Sequence, residues 1–159
     1  MAEFSGTPRG AGRRVAVVAS RFNETITRRL VDGALEALLQ HGVALDDIDV
    51  VWVPGAWELP LAARRALGSA RYDLLVALGA IIRGGTPHFE FVATETSRGL
   101  SVVATDAELP VGFGLLTCDD MEQAAARAGG LHGNKGWDAA VAALELADVL
   151  DQIEPVDAD

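Results

Sequence analysis

Four short apolar runs, each followed by a helical pattern, restrict what this chain can fold into more than any other feature. "RVAVVAS" at 14–20 is a continuous apolar run with β-branched residues, the pattern of a strand covered on both faces. Asn23 then offers an N-cap to a helix in which Ile26, Leu30, Ala34 and Leu38 share one face, and Gly42 closes it. "DVVWVP" at 49–54 is the second strand, and Glu58 to Leu67 the second helix, with Pro60 tolerated in its first turn. "DLLVALGA" at 73–80 is the third strand. Thr86 is expected to cap the third helix, with Pro87 at its first position, His88 just inside it and an end near Val103. "VGFGLLT" at 111–117 is the fourth strand. Asp119 and Glu122 have capping-box spacing for a fourth helix that ends near Gly129-Gly130. The loop "GGLHGN" leads to a last helix from Lys135 to about Ile153. Strand and helix alternating in this way build a mainly parallel sheet with helices on both faces. Residues 1–13 read as an exposed N-terminal arm, 14–153 as one domain and 154–159 as a loose acidic tail.

Charge narrows the partners. The net charge of −10 repels phosphate backbones and anionic membranes, so neither nucleic acid nor membrane is an expected partner. No apolar run approaches the ~20 residues of a membrane span, and "MAEFSGTPRGAGRR" lacks the apolar core of a signal peptide. Cys118 is the only cysteine, which excludes an intramolecular disulfide and suits a reducing, cytoplasmic setting. His41, His88 and His132 stand too far apart for a metal-ligand signature.

In open α/β sheets, ligands bind beyond the carboxyl ends of the strands. "SRFN", "PGAWELP" and "IIRGGTPHF" follow the first three strands, and "GFG" lies inside the fourth. Gly84-Gly85-Thr86 ahead of a helix suits an anion, because the helix start presents unpaired N–H groups and a partial positive charge. The same residues read equally well as a cap preceded by a flexible turn. No GxGxxG follows the first strand and no P-loop lysine is present, which disfavours a nucleotide cofactor. His88 can pass a proton beside such a cradle, or serve only as a structural histidine. Phe22 and Trp57 can face a planar ring, or simply cap the core. Glu58 can accept from hydroxyls or ring N–H groups, or merely suit the helix dipole. Arg83, Arg127 and Lys135 are cations in an acid-rich chain. Lys135 opens a helix, where the dipole disfavours it. Cys118 reads as a small buried side chain. An anion cradle, an aromatic slot and one histidine, without metal ligands or an activated nucleophile, suit a condensation of an amine with a phosphorylated carbonyl compound. Holding two reactants together supplies much of such a barrier.

"RFN", "VPGAWELP", "ALGAIIRGGTPHFEFV", "PVGFGLLT" and "ARAGGLHGNKGWDAA", in this order, resemble lumazine synthase over about Arg14 to Leu150. The resemblance implies a three-layer α/β/α sandwich with a four-stranded, mainly parallel sheet and flavodoxin-like topology. It also implies condensation of 5-amino-6-(D-ribitylamino)uracil with 3,4-dihydroxy-2-butanone 4-phosphate, a transferase reaction of riboflavin biosynthesis that uses no cofactor. Phe22 would stack on the pyrimidine, and Ala56, Trp57 and Glu58 would hold the ribityl chain and ring edge. Ala80, Ile81 and Ile82 would line the pyrimidine pocket, largely through their backbone. Gly85 and Thr86 would cradle the phosphate, and His88 would transfer the proton. Phe113 and Arg127 would reach the pocket from a neighbouring subunit, Arg127 to the phosphate. Lys135 matches a further site position.

The family forms pentamers, and some members close twelve of them into a 60-subunit icosahedral shell. The compact "GGLHGN" loop favours that shell here, and the arm would pair with a neighbouring subunit's sheet. Gly85, Trp57 and Ala80 differ from commoner family forms at positions where backbone contacts survive. Leu131 stands where many members carry a lysine. An archaeal-type riboflavin synthase and an idle shell or flavin-binding protein are alternatives on the same scaffold. The Gly85-Thr86 and Arg127 set argues against the first, and an intact His88 and Arg127 against the second.

Overall fold

The computed structural model describes residues 1–153, so the tail assigned to 154–159 lies outside the described residues. Four strands, β1 (Val15–Ser20), β2 (Ile48–Val53), β3 (Leu74–Ile82) and β4 (Val111–Cys118), form one sheet in the order β2-β1-β3-β4. Every pairing is parallel. This is the flavodoxin-like order, in an α/β/α arrangement. The two central strands are apolar because both of their faces are covered: β1 is buried throughout, and β3 in all but its last residue.

Alternation of side chains divides the core in two. Val15, Val17 and Ala19 of β1, with Leu74, Val76 and Leu78 of β3, face helices α1 (Glu24–Gln40) and α5 (Lys135–Gln152). Ala16 and Val18, with Leu75 and Ala77, face helices α2 (Leu59–Gly68) and α3 (His88–Ala107). Ile26, Leu30, Ala34 and Leu38 of α1 are all buried, as their spacing predicts. Close approach of α5 depends on missing side chains. A Cβ on Gly136 would lie 2.0 Å from the Leu30 carbonyl oxygen, and one on Gly112 would lie 2.4 Å from that of Ala139. The glycines of "GFG" thus seat α5 on β4, while Phe113 between them points the other way and stays exposed.

Several boundaries depart from the sequence reading. Asn23 precedes α1 but does not cap it through its side chain; it adopts a left-handed φ of 61°. Gly42, at φ 99°, closes that helix as expected. Residues Ala56–Glu58 form a 3₁₀ turn, so α2 starts at Leu59 rather than Glu58. Thr86 does not cap α3. The helix begins at His88 itself, preceded by Pro87, and no side chain caps it. It continues past Val103 to Ala107, because the chain meets no breaker until Pro110. Helix α4 (Met121–Ala126) is capped by Asp120, not Asp119; the Asp120 carboxylate accepts from Gln123 N–H at 2.8 Å. That helix stops short of Gly129-Gly130 because the chain turns into a small antiparallel hairpin, β5 (Ala128–Gly130) and β6 (Gly133–Asn134). Leu131 and His132, expected in an irregular loop, form the tip of that hairpin.

The N-terminal residues are held against the domain. Asp148 of α5, buried, accepts from Thr7 N–H at 2.9 Å and pairs with Arg9 at 3.2 Å. Arg13 pairs with Asp151 at 2.7 Å, and Gly10 N–H donates to the His41 carbonyl at 2.8 Å. The Thr7 backbone N–H, helped by Arg9 against the cost of desolvation, holds the Asp148 carboxyl below the usual carboxylate range. A depressed folded-state pKa gives stability that is present above the ordinary carboxylate value of about 3.9 and lost as pH falls through the folded value. Asp148→Ala should therefore speed tryptic cleavage after Arg9 at neutral pH, and acidification below about pH 4 should loosen protection of the Thr7 amide in the unchanged protein. Equal cleavage of variant and parent would show that Asp148 does not anchor the arm.

Candidate active site

The ladder between strands continues past the sheet and sets the first loops in register. Arg21 N–H donates to the Val53 carbonyl at 2.8 Å and Phe22 N–H to that of Pro54 at 3.0 Å, so the loops after β1 and β2 leave the sheet side by side. Phe22 and Trp57 are thereby brought to the mouth of one cavity of about 500 Å³, 72% and 61% exposed respectively. Isolated large aromatics are usually shielded on at least one face, and two exposed ones at a cavity mouth suit a planar ligand. The cavity opens at the carboxyl ends of β1, β2 and β3, where ligands bind in open α/β sheets.

Its walls contain most of the residues singled out from sequence: Ala56 and Glu58 from the 3₁₀ turn, Ala80, Ile81 and Ile82 from the end of β3, and Thr86 and His88 beside the start of α3. Glu58 closes its own turn, its Oε2 accepting from Gly55 N–H at 2.9 Å. Its Oε1 has no partner among the described residues. Asn23, which sequence reading treated only as a cap, donates from Nδ2 to the Ala80 carbonyl at 2.8 Å. That bond ties the end of β1 to the end of β3 and fixes the peptide that forms the cavity floor. Thr96, buried in α3, donates to the Ala56 carbonyl at 3.2 Å and locks the opposite wall. Phe89 and Val92 also line the cavity; Val92 follows His88 by four residues, a helical spacing that could have placed it on the same face.

The turn that the sequence offered as an anion cradle borders this cavity in part. Gly84 and Thr86 line the cavity, while Gly85 between them does not. A Cβ on either glycine would meet nothing within 4 Å, so the turn is open for an approaching ligand. Because α3 lacks a side-chain cap, the His88 and Phe89 N–H groups have no partner among the described residues, while that of Glu90 donates to the Pro87 carbonyl at 3.1 Å. His88 is the first residue of that helix, at the same end.

Phe113, Arg127 and Lys135 are not brought to this cavity by the chain that carries the others. They line a second depression of about 480 Å³ beside β4, with Cys118, Gln123, His132 and Asp138. The hairpin unites its two cations: Lys135 N–H donates to the Arg127 carbonyl at 2.8 Å. Neither cation forms a salt bridge among the described residues, and the Arg127 guanidinium donates to the Gln123 carbonyl at 3.0 Å. Asn134 fastens the hairpin. Its Oδ1 accepts from Gly136 and Trp137 N–H at the start of α5, and its Nδ2 donates to the Arg29 carbonyl of α1 at 3.0 Å. Cys118 is buried, and burial pushes its thiol up from the usual range, as suits a packing residue. No three His, Cys, Asp or Glu side chains converge as a metal site among the described residues, and no helix there is long and apolar enough to cross a membrane.

The family model for 6,7-dimethyl-8-ribityllumazine synthase matches residues 12–151. The chain belongs to that family. It is also 64% identical over 155 residues to the 6,7-dimethyl-8-ribityllumazine synthase of Gemmatimonas aurantiaca, a match covering 98% of this chain and 94% of the relative. The matched span contains both depressions and all the residues that line them.

Asn134→Ala removes a helix cap and the bond that ties the hairpin to α1. It should cost about 1–2 kcal/mol in urea unfolding. An unchanged midpoint would show that the hairpin is held by other contacts.

Proposed function

We propose that the protein is a 6,7-dimethyl-8-ribityllumazine synthase, a transferase that condenses 5-amino-6-(D-ribitylamino)uracil with 3,4-dihydroxy-2-butanone 4-phosphate and releases phosphate and water. Family membership supplies the reaction class. The observation that carries it to this site is the cavity itself, with aromatic lips at one side and the uncapped start of α3, bearing His88, at the other. The pyrimidine stacks on Phe22, with Ala80, Ile81 and Ile82 along its edge. Ala56, Trp57 and Glu58 hold the ribityl chain, the free Glu58 oxygen accepting from its hydroxyls. Gly85 and Thr86 receive the phosphate on backbone N–H groups. His88 moves protons while the amine adds to the carbonyl, water leaves and phosphate is expelled. Such a residue, correctly placed, contributes about 10²–10⁴-fold.

The separate depression supports the reading of a site shared between copies. Phe113, Arg127 and Lys135 of one subunit complete the cavity of its neighbour, with Arg127 on the phosphate and Phe113 against the ring. The protein is then a homo-oligomer, a pentamer that assembles into a 60-subunit icosahedral shell in the cytoplasm. The β2 edge favours further pairing, since Val50 and Val51 are both exposed along it and a neighbour's N-terminal arm would cover them. The acidic charge opposes nucleic acid and membrane as partners.

Incubation with both substrates, following the fluorescent lumazine and free phosphate together, tests the reaction. The two should appear in equal amounts above the uncatalysed rate. His88→Ala should lower kcat by about 10²-fold while pyrimidine affinity stays unchanged. Unchanged turnover would remove His88 from the chemistry. Arg127→Ala should raise KM for the phosphorylated substrate about tenfold or more. Oligomers reassembled from a mixture of the two variants should regain activity, because some sites then combine an intact His88 with an intact Arg127. A mixture no more active than its parts would mean that one subunit supplies both residues.

A further inference from the structure

The turn that would receive the phosphate hangs between two fixed points. At one end Arg83 leaves β3, its N–H donating to the Cys118 carbonyl at 2.8 Å. At the other, α3 starts at His88. Between them Gly84 and Gly85 have no neighbour that a side chain would touch, and Thr86 and Pro87 are exposed. Pro87 restrains the end of the turn, but no side-chain contact fixes Gly84 and Gly85.

The Arg83 side chain spans this gap. Its Nε donates to Asp119 Oδ1 at 3.0 Å, just beyond β4, and its Nη1 donates to Glu90 Oε1 in the first turn of α3. The guanidinium also lies 4.5 Å from the centre of the Phe89 ring, which itself lines the cavity. The guanidinium, carried just beyond β3, thus contacts α3 twice and the residue after β4 once. We propose that Arg83 is a positioning residue, which clips the first turn of α3 to the end of β4 and so holds the Gly84–Thr86 turn and His88 in the geometry that receives a phosphorylated substrate. The proposal rests on the condensation reading above.

The physical case is one of local order. Arg83 and its two carboxylates are roughly half exposed, and exposed ion pairs contribute little to global stability. The same pairs matter more to a segment with no other side-chain anchor, because they remove conformations that the turn would otherwise sample before binding. The guanidinium suits this task, since its fork serves both carboxylates at once while its face stacks on the ring. Glu90 is correspondingly held below the usual carboxylate range by its bond to Arg83. With two carboxylates on it, Arg83 offers the substrate little net positive charge. Its part is geometric, in contrast to the free cations of the second depression.

Three variants test this: Arg83→Ala, Arg83→Lys, and Glu90→Gln with Asp119→Asn. Each is assayed with either substrate varied, together with hydrogen exchange of the Gly84, Gly85, Thr86 and His88 amides. Arg83→Ala should raise KM for the butanone phosphate about tenfold, with pyrimidine affinity within about twofold of the parent. Lysine should not rescue it, because an ammonium cannot both bridge and stack. The double carboxylate variant should move KM in the same direction. If KM falls there instead, freed Arg83 binds phosphate directly and the positioning role is overturned. Unchanged KM in Arg83→Ala, or exchange as slow as in the parent, overturns it as well. Should the unchanged protein fail to turn the substrates over, the reaction assignment fails, while the exchange result still decides whether Arg83 orders the turn.

Discussion

The site depends on the register of the parallel sheet. The loops that line the cavity start at the carboxyl ends of strands, and the hydrogen-bond ladder continues one or two residues beyond the regular strands before these loops diverge. Arg21 and Phe22 are still bonded to Val53 and Pro54, and Arg83 to Cys118. A slip of one residue would turn every side chain to the opposite face. It would exchange the two halves of the core and carry Phe22 away from the cavity. The close seats at Gly79, Gly112 and Gly114, where any side chain would collide, oppose the slip, so packing at the centre of the sheet becomes positional accuracy at its rim.

Polar bonds then convert register into geometry. Asn23 reaches across from β1 to the Ala80 carbonyl, Thr96 holds the Ala56 carbonyl from α3, and Glu58 folds back on Gly55. Each satisfies a backbone group that would otherwise be costly near a partly dry cavity. Each also immobilises a peptide in the wall. Left-handed geometry at Asn23 belongs to the same device: asparagine tolerates a positive φ better than most residues, and that conformation accompanies the bond across the sheet.

Much of this was legible in the sequence, and the failures share a cause. Continuous apolar runs identified the central strands, four-residue spacing gave the buried face of α1, and Gly42 marked its end, because those signals are local. Phe22, Trp57, Glu58, Thr86 and His88 were legible as candidates because each follows a strand in a sheet of known polarity. The role of Asn23 was not, since its partner lies 57 residues away and a cap is the local explanation of the same residue. Thr86 looked like a cap for the same reason. The structure leaves the start of α3 uncapped, a departure expected where donors are kept for a ligand. The hairpin after α4 was hidden by its length, with strands of three and two residues that carry no alternation to read.

The two depressions raise a question of energy as well as geometry. Phe22 and Trp57 lie exposed at one and Phe113 at the other, while the cations beside Phe113 have no carboxylate partner among the described residues. For a folded chain in isolation this arrangement is poor: apolar rings face water, two cations lack a salt-bridge partner among the described residues, and the start of α3 has no side-chain cap. Burying the rings against a ligand and a second subunit, with a phosphate between the cations and an uncapped helix start, would remove all three penalties together. No single substitution within one chain could do so. The features that look unfinished in the isolated fold are the ones that a shared, anion-binding site would complete. Arg83, already neutralised by its own carboxylates, differs from them because its work is done before the ligand arrives.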